Sequence, residues 1–129
     1  MKKIIVSVQN GLLAEAIIGM LNESGEFQPF RIPVGNKKIA VADQCEMLSA
    51  DILLAEVSYA VGTTVETRLH EVKEVRDKNP DCKIVLLCDE NSAPDIAREV
   101  TLAKKDGLID NFFYSSVTAK YLLAALISL

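Results

Sequence analysis

A chain of 129 residues, half of them apolar, has the usual length of one domain and can bury a two-sided core. Its net charge of −4 and pI near 5.0 exclude a phosphate-neutralising surface, and the pairs Lys37-Lys38 and Lys104-Lys105 are too short to form a basic patch, so direct nucleic-acid binding by this segment is not expected. Cys45, Cys82 and Cys88 form no CxxC, and three cysteines without a secretory signal point to a reducing, cytoplasmic compartment in which they pack as small buried hydrophobes.

The first element is the apolar run KIIVSV at 3–8, which is too short for a signal-peptide core or a membrane span. Leu13, Ala16, Ile17, Met20 and Leu21 then recur at helical spacing, and Ser24-Gly25 closes that helix. FQPFRIPV at 27–34 predicts a short strand whose two prolines push it to a sheet edge. Val41, Cys45 and Leu48 mark a second helix, and DILLAEV at 51–57 is the next strand. Val65, Leu69, Val72 and Val75 mark a third helix, stopped by Pro80 before the strand KIVLLC at 83–88. SAPD at 92–95 reads as an N-cap with an acidic return, ahead of a stripe of Ile96, Val100 and Ala103. Lys104 and Lys105 complement the dipole at the end of that helix, and Gly107 stops it. LIDNFFY at 108–114 is a last strand and SVTAKYLLAALISL at 116–129 a last helix.

The runs at 3–8, 51–57 and 83–88 are continuously apolar, which suits central strands of a parallel sheet covered on both faces. With right-handed crossovers, strand-helix alternation of this kind builds a three-layer α/β/α sandwich with a five-stranded parallel sheet in the order 2-1-3-4-5. We expect a single domain over 1–129, with its functional crevice beyond the carboxyl ends of the strands at the switch point.

Two passages resemble a known family. HEVKEVRDKNPDCKIVLLCDE at 70–90, where a helix ends on Arg-x-x-Asn-Pro before an apolar strand, resembles response-regulator receiver domains. VQNGLLAEAIIGMLNESGEFQPF at 8–30 is similar to the start of receivers that precede a LuxR-type DNA-binding domain. The resemblance spans nearly the whole chain in length and element order and implies a CheY-like, flavodoxin-like fold.

Receivers hold Mg²⁺ with an acidic pair after the first strand and phosphorylate an Asp ending the third. They carry a Thr or Ser at the end of the fourth strand and a Lys-Pro after the fifth. On this chain the acidic pair falls on Ser7 and Val8, and the phosphoacceptor on Glu56, which keeps the family's DxxxxD spacing from Asp51. The hydroxyl falls on Cys88, the Lys-Pro on Tyr114-Ser115 and the aromatic switch on Asn111 or Phe112. The resemblance therefore implies a degenerate pseudo-receiver with a pocket of Ser7, Val8, Glu56, Cys88, Asp89 and Tyr114 and with no catalytic residue, metal or cofactor.

Glu56 is then either a fixed mimic of an acyl phosphate or a strand-end acid in solvent. Asp89 and Glu90 either join it in a degenerate metal site or are exposed loop acids. His70 lies inside the third helix and reads as a surface histidine. Cys88, whose thiolate the neighbouring acids disfavour, reads as packing. Gly35 and Gly62 are isolated turn glycines without phosphate-cradle spacing.

Phe112, Phe113, Tyr114, Tyr121, Leu123 and Ile127 exceed what one core can absorb, with Leu123 and Ile127 on a strip away from Leu122 and Leu126, so a protein partner or homodimer through the last strand and helix is expected. Two functions remain: a non-enzymatic, phosphorylation-independent regulatory module acting by protein contacts, as the input part of a transcriptional regulator, or a small flavodoxin-like enzyme or ligand-binding domain using the crevice. No membrane association is expected of either.

Overall fold

The computed structural model describes residues 1–32, 34, 40–88 and 94–129, and only the backbone of Pro94. Strands β1 (Lys2–Ser7), β2 (Phe27–Arg31), β3 (Ile52–Val57), β4 (Lys83–Cys88) and β5 (Asn111–Tyr114) alternate with helices α1 (Gly11–Ser24), α2 (Val41–Leu48), α3 (Val65–Lys78), α4 (Pro94–Lys105) and α5 (Ala119–Ile127). Every pairing is parallel, in the order β2-β1-β3-β4-β5. The strand that contains Pro29 thus lies at an edge, where a missing N–H costs no ladder bond.

Side-chain alternation gives the sheet two cores. Ile5, Leu53, Ala55, Ile84 and Leu86 pack with residues of α2, α3 and α4, whereas Ile4, Val6, Leu54, Val85 and Leu87 pack with α1 and α5. The central strands bury apolar side chains on both faces, which is why their sequences run without polar interruption. Cys45, Cys82 and Cys88 are free and buried within the first core.

The largest departures from the sequence expectation are at the end of β2 and the starts of β5 and α5. β2 stops at Arg31 rather than 34, although the Ile32 N–H still donates to the Val6 carbonyl at 3.0 Å. β5 starts at Asn111 rather than 108 because the preceding rung uses a side chain: the Asp110 carboxylate accepts the Ile84 N–H at 2.7 Å. α5 starts at Ala119 because the Thr118 hydroxyl caps it, accepting from the Tyr121 N–H at 3.2 Å. The cap expected at Ser92, the turn glycine Gly35 and the Lys37-Lys38 pair lie outside the described residues.

The Arg-x-x-Asn phrase turns out to hold the fold together. Asn79 Nδ2 donates to the Cys45 and Ala50 carbonyls at 3.2 and 3.1 Å, anchoring the end of α2. Arg76 donates to the Leu108 and Cys82 carbonyls and pairs with Asp110 at 3.0 Å, anchoring the entry to β5.

Candidate functional site

The carboxyl ends of the strands open on a cleft of about 290 Å³ lined by Asn10, Leu13, Glu56, Ser58, Leu87 and Ser115. Glu56 stands next to last in β3, so alternation with Ala55 and Val57 sends its side chain to the α1–α5 face. There its Oε1 accepts the Gln9 N–H at 3.0 Å. Asn10 caps α1, its Oδ1 accepting from the Leu13 N–H at 3.1 Å. The floor on the β3 side is tied by Ser58, whose hydroxyl meets that of the buried Thr63 at 2.6 Å and accepts the Ala60 N–H at 3.1 Å.

On the opposite face of the same strand ends lies a residue that the sequence reading passed over. Arg68, in the first turn of α3, is only 2% exposed. Its Nε donates to the Glu56 carbonyl at 2.7 Å and its Nη2 to the Ser7 carbonyl at 2.8 Å, while Nη1 donates to the Ser7 hydroxyl at 3.0 Å and to Glu71 Oε1 at 3.2 Å. Burial lowers the guanidinium's pKa, a shift opposed first by Glu71 and then by Glu56. Burial likewise pushes the Glu71 carboxyl up, against the pull of Arg68. An arginine stays charged in such a setting and must be met by acceptors, which the two strand ends and Glu71 supply. Its signal in the sequence was position: Val65, Arg68, Val72 and Val75 share the buried face of α3, with Leu69 only partly buried beside it.

The residues that the family resemblance grouped together are separated by the fold. Ser7, 1% exposed, turns toward Arg68, while Val8 is fully buried in the α1–α5 core. Cys88 is fully buried, and burial pushes its thiol up to about 11. Tyr114 is 42% exposed and sets its ring edge-on to Phe112, which packs against the α4-side core. Of the described members of that set only Glu56 lines the cleft: Ser7, Cys88 and Tyr114 face the other layer, and Val8 is buried in the core. Asp89 and Glu90 lie outside the described residues. His70 is exposed on α3, with its Nε2 3.0 Å from Glu74 Oε1. Among the described residues no group of three or more His, Cys, Asp or Glu is placed to hold a metal ion.

The aromatic residues of the last strand divide as alternation requires. Phe113 packs on the second core and meets Tyr121 edge-on at 6.0 Å, while Lys104 Nζ lies 5.9 Å above the Phe112 ring. Of the pair Leu123 and Ile127, Leu123 is half-buried against the core that holds Leu122 and Leu126, whereas Ile127 is exposed and lines a depression with Met1, Lys2 and Phe27 at the amino ends of the strands.

No family model matches the chain, and no curated protein does. Solved structures do. A LuxR-family DNA-binding response regulator from Staphylococcus aureus superposes with a TM-score of 0.75 at 12% identity, over 99% of this chain and 98% of that one. The signal receiver domain of the putative response regulator NarL from Mycobacterium tuberculosis gives 0.74 at 15% identity, over 98% and 94%. RcsB from Salmonella enterica serovar Typhimurium, solved bound to a promoter, gives 0.71 at 18%, over 98% of this chain and 67% of that one. The chain has the CheY-like receiver fold. No helix among the described residues is long and apolar enough to cross a membrane.

Proposed function

We propose that this chain is a receiver-like regulatory module that works through protein contacts and without phosphotransfer. The observation that carries this reading is the Arg68 guanidinium bound to the carbonyl ends of β1 and β3. Where the family's metal acids would stand, the Ser7 hydroxyl accepts from that guanidinium and Val8 is core. A cation fixed by covalent attachment does not exchange, so these strand ends sit in one electrostatic state. The positions of the hydroxyl and the lysine point the same way, since Cys88 is a buried neutral thiol and Tyr114 stacks away from Glu56.

The neighbours are described as response regulators, one of them solved on DNA, and the context we infer for this module is the input side of such a regulator. Its contact surface, on this reading, is the exposed edge formed by β5 with α4 and α5. Incubation of the protein with acetyl phosphate and Mg²⁺ is expected to leave its mass unchanged. A stable gain of one phosphoryl group on an acidic side chain overturns the proposal.

A further inference from the structure

The Glu56 cleft continues into an apolar slot between α1 and α5. Leu13, Leu87 and Ser115 line both spaces, and the slot adds about 160 Å³. The small side chains of Ala16 on α1 and Ala119 on α5 line it together with those of Ile17, Met20, Val117 and Leu122. One end of this groove is thus hydrocarbon and the other carries a carboxylate.

Among the described residues lining the cleft, Glu56 is the sole ionisable group. Arg68 binds the Glu56 backbone carbonyl from the opposite face, close enough for the two charges to act on one another, and none of the described residues lining the cleft is a Lys or Arg. Tyr114, which stands at the position of the family's lysine, sets its ring edge-on to Phe112 toward the α4 layer. An anion entering here meets a negative wall, so phosphates and carboxylates are disfavoured. A cation meets a carboxylate and, from Ser115, a hydroxyl acceptor.

We infer that the groove binds a small amphipathic primary amine, its ammonium against Glu56 and a short apolar body in the slot between Ala16 and Ala119. The spaces lie at the lower end of ligand pockets, which run from ~300 to ~1,000 Å³, so the occupant is a short alkyl or arylalkyl amine and its affinity is modest. The inference rests on the phosphorylation-independent reading in one respect: Glu56 is unmodified.

The test is a titration of the ¹⁵N-labelled protein with n-hexylammonium chloride, followed by amide shifts, with n-hexanol and hexanoate as matched probes. Saturable shifts confined to Leu13, Glu56, Ser115, Val117 and their neighbours are expected for the amine, at least about tenfold weaker binding for the alcohol, and none for hexanoate. Glu56→Gln keeps an oxygen for the Gln9 N–H and removes the charge, so it is expected to weaken the amine about tenfold. Ala16→Leu, at an exposed position, fills the slot and is expected to abolish the shifts. No saturable shift, shifts spread over the whole surface, or equal affinity in Glu56→Gln overturns the inference. A phosphoryl gain in the mass experiment with amine binding intact overturns the regulatory reading alone. Absent amine binding with unchanged mass overturns this inference alone.

Discussion

Arg68 brings a charge into the interior and hydrogen-bonds the ends of two central strands, so its removal leaves the Glu56 and Ser7 carbonyls short of a donor. Each orphaned buried acceptor costs ~1–3 kcal/mol, and Arg68→Met, which keeps length and drops every donor, is expected to lower stability by about 2–4 kcal/mol in a urea titration. Arg68→Lys is expected to restore little, since one ammonium cannot serve the same fork of acceptors.

Cys88 predicts a pH dependence with a definite sign. Its thiol ionises near 9.0 when unfolded and near 11 when buried, so the native state holds the proton more tightly and the stabilisation is complete below pH 9. Between pH 9 and 11 stability is expected to fall by up to about 1.4 kcal/mol per pH unit, and Cys88→Ala to flatten that slope in alkaline chemical melts. The buried state of Cys88 was legible in its apolar run, and Glu56 in its spacing from Asp51. Arg68 was not, because a charged residue on an apolar stripe is discounted unless its acceptors are known, and two of those are backbone carbonyls distant in sequence.

At the scale of elements, the β3–α3 connection shows how far sequence reaches. Gly62 was readable as a turn residue, and it adopts φ 91°, in the region that L side chains avoid. A Cβ there would also stand 3.2 Å from Val34 Cγ1, so Gly62→Ala is expected to cost about 1–2 kcal/mol by thermal or urea unfolding. Helices and central strands were legible because their periodicity reports burial, although on α1 the expected stripe is only partly the buried one: Ile17 and Leu21 are buried, Leu13 and Met20 half-buried, Ala16 exposed, and Ala14 is buried instead. The starts of β5 and α5 were not, because each is decided by a single hydrogen bond or cap at Asp110 or Thr118. On the expected strip of α5 Ile127 is exposed while Leu123 is half-covered, because helical spacing gives relative angles but not how wide an arc the neighbours cover.

For the whole molecule, the open question is which surface meets a partner. β5 is an edge strand, and its four residues give too short a ladder for strand addition to be the main attachment. Side chains remain: Tyr121 is 63% exposed above Phe113, Tyr114 42% beside Phe112, and Leu102 of α4 50%. These three are held in place by packed rings or helix backbone, so covering them loses little side-chain freedom. At roughly 25 cal/mol per Å² of apolar area, less the cost of association, a two-fold contact over such a patch gives a weak, concentration-dependent dimer, below the size of permanent interfaces. Ile127 belongs to the opposite pole of the sheet and contributes nothing to this contact. Sedimentation of the parent is therefore expected to show reversible dimerisation, and a Tyr114→Lys, Tyr121→Lys double variant to remain a folded monomer whose melting temperature falls only by the loss of two edge-on ring pairs. If parent and variant are both monomers at high concentration, self-association through this edge is wrong, and the exposed tyrosines are left to a different protein partner, whose binding the same double variant is then expected to weaken.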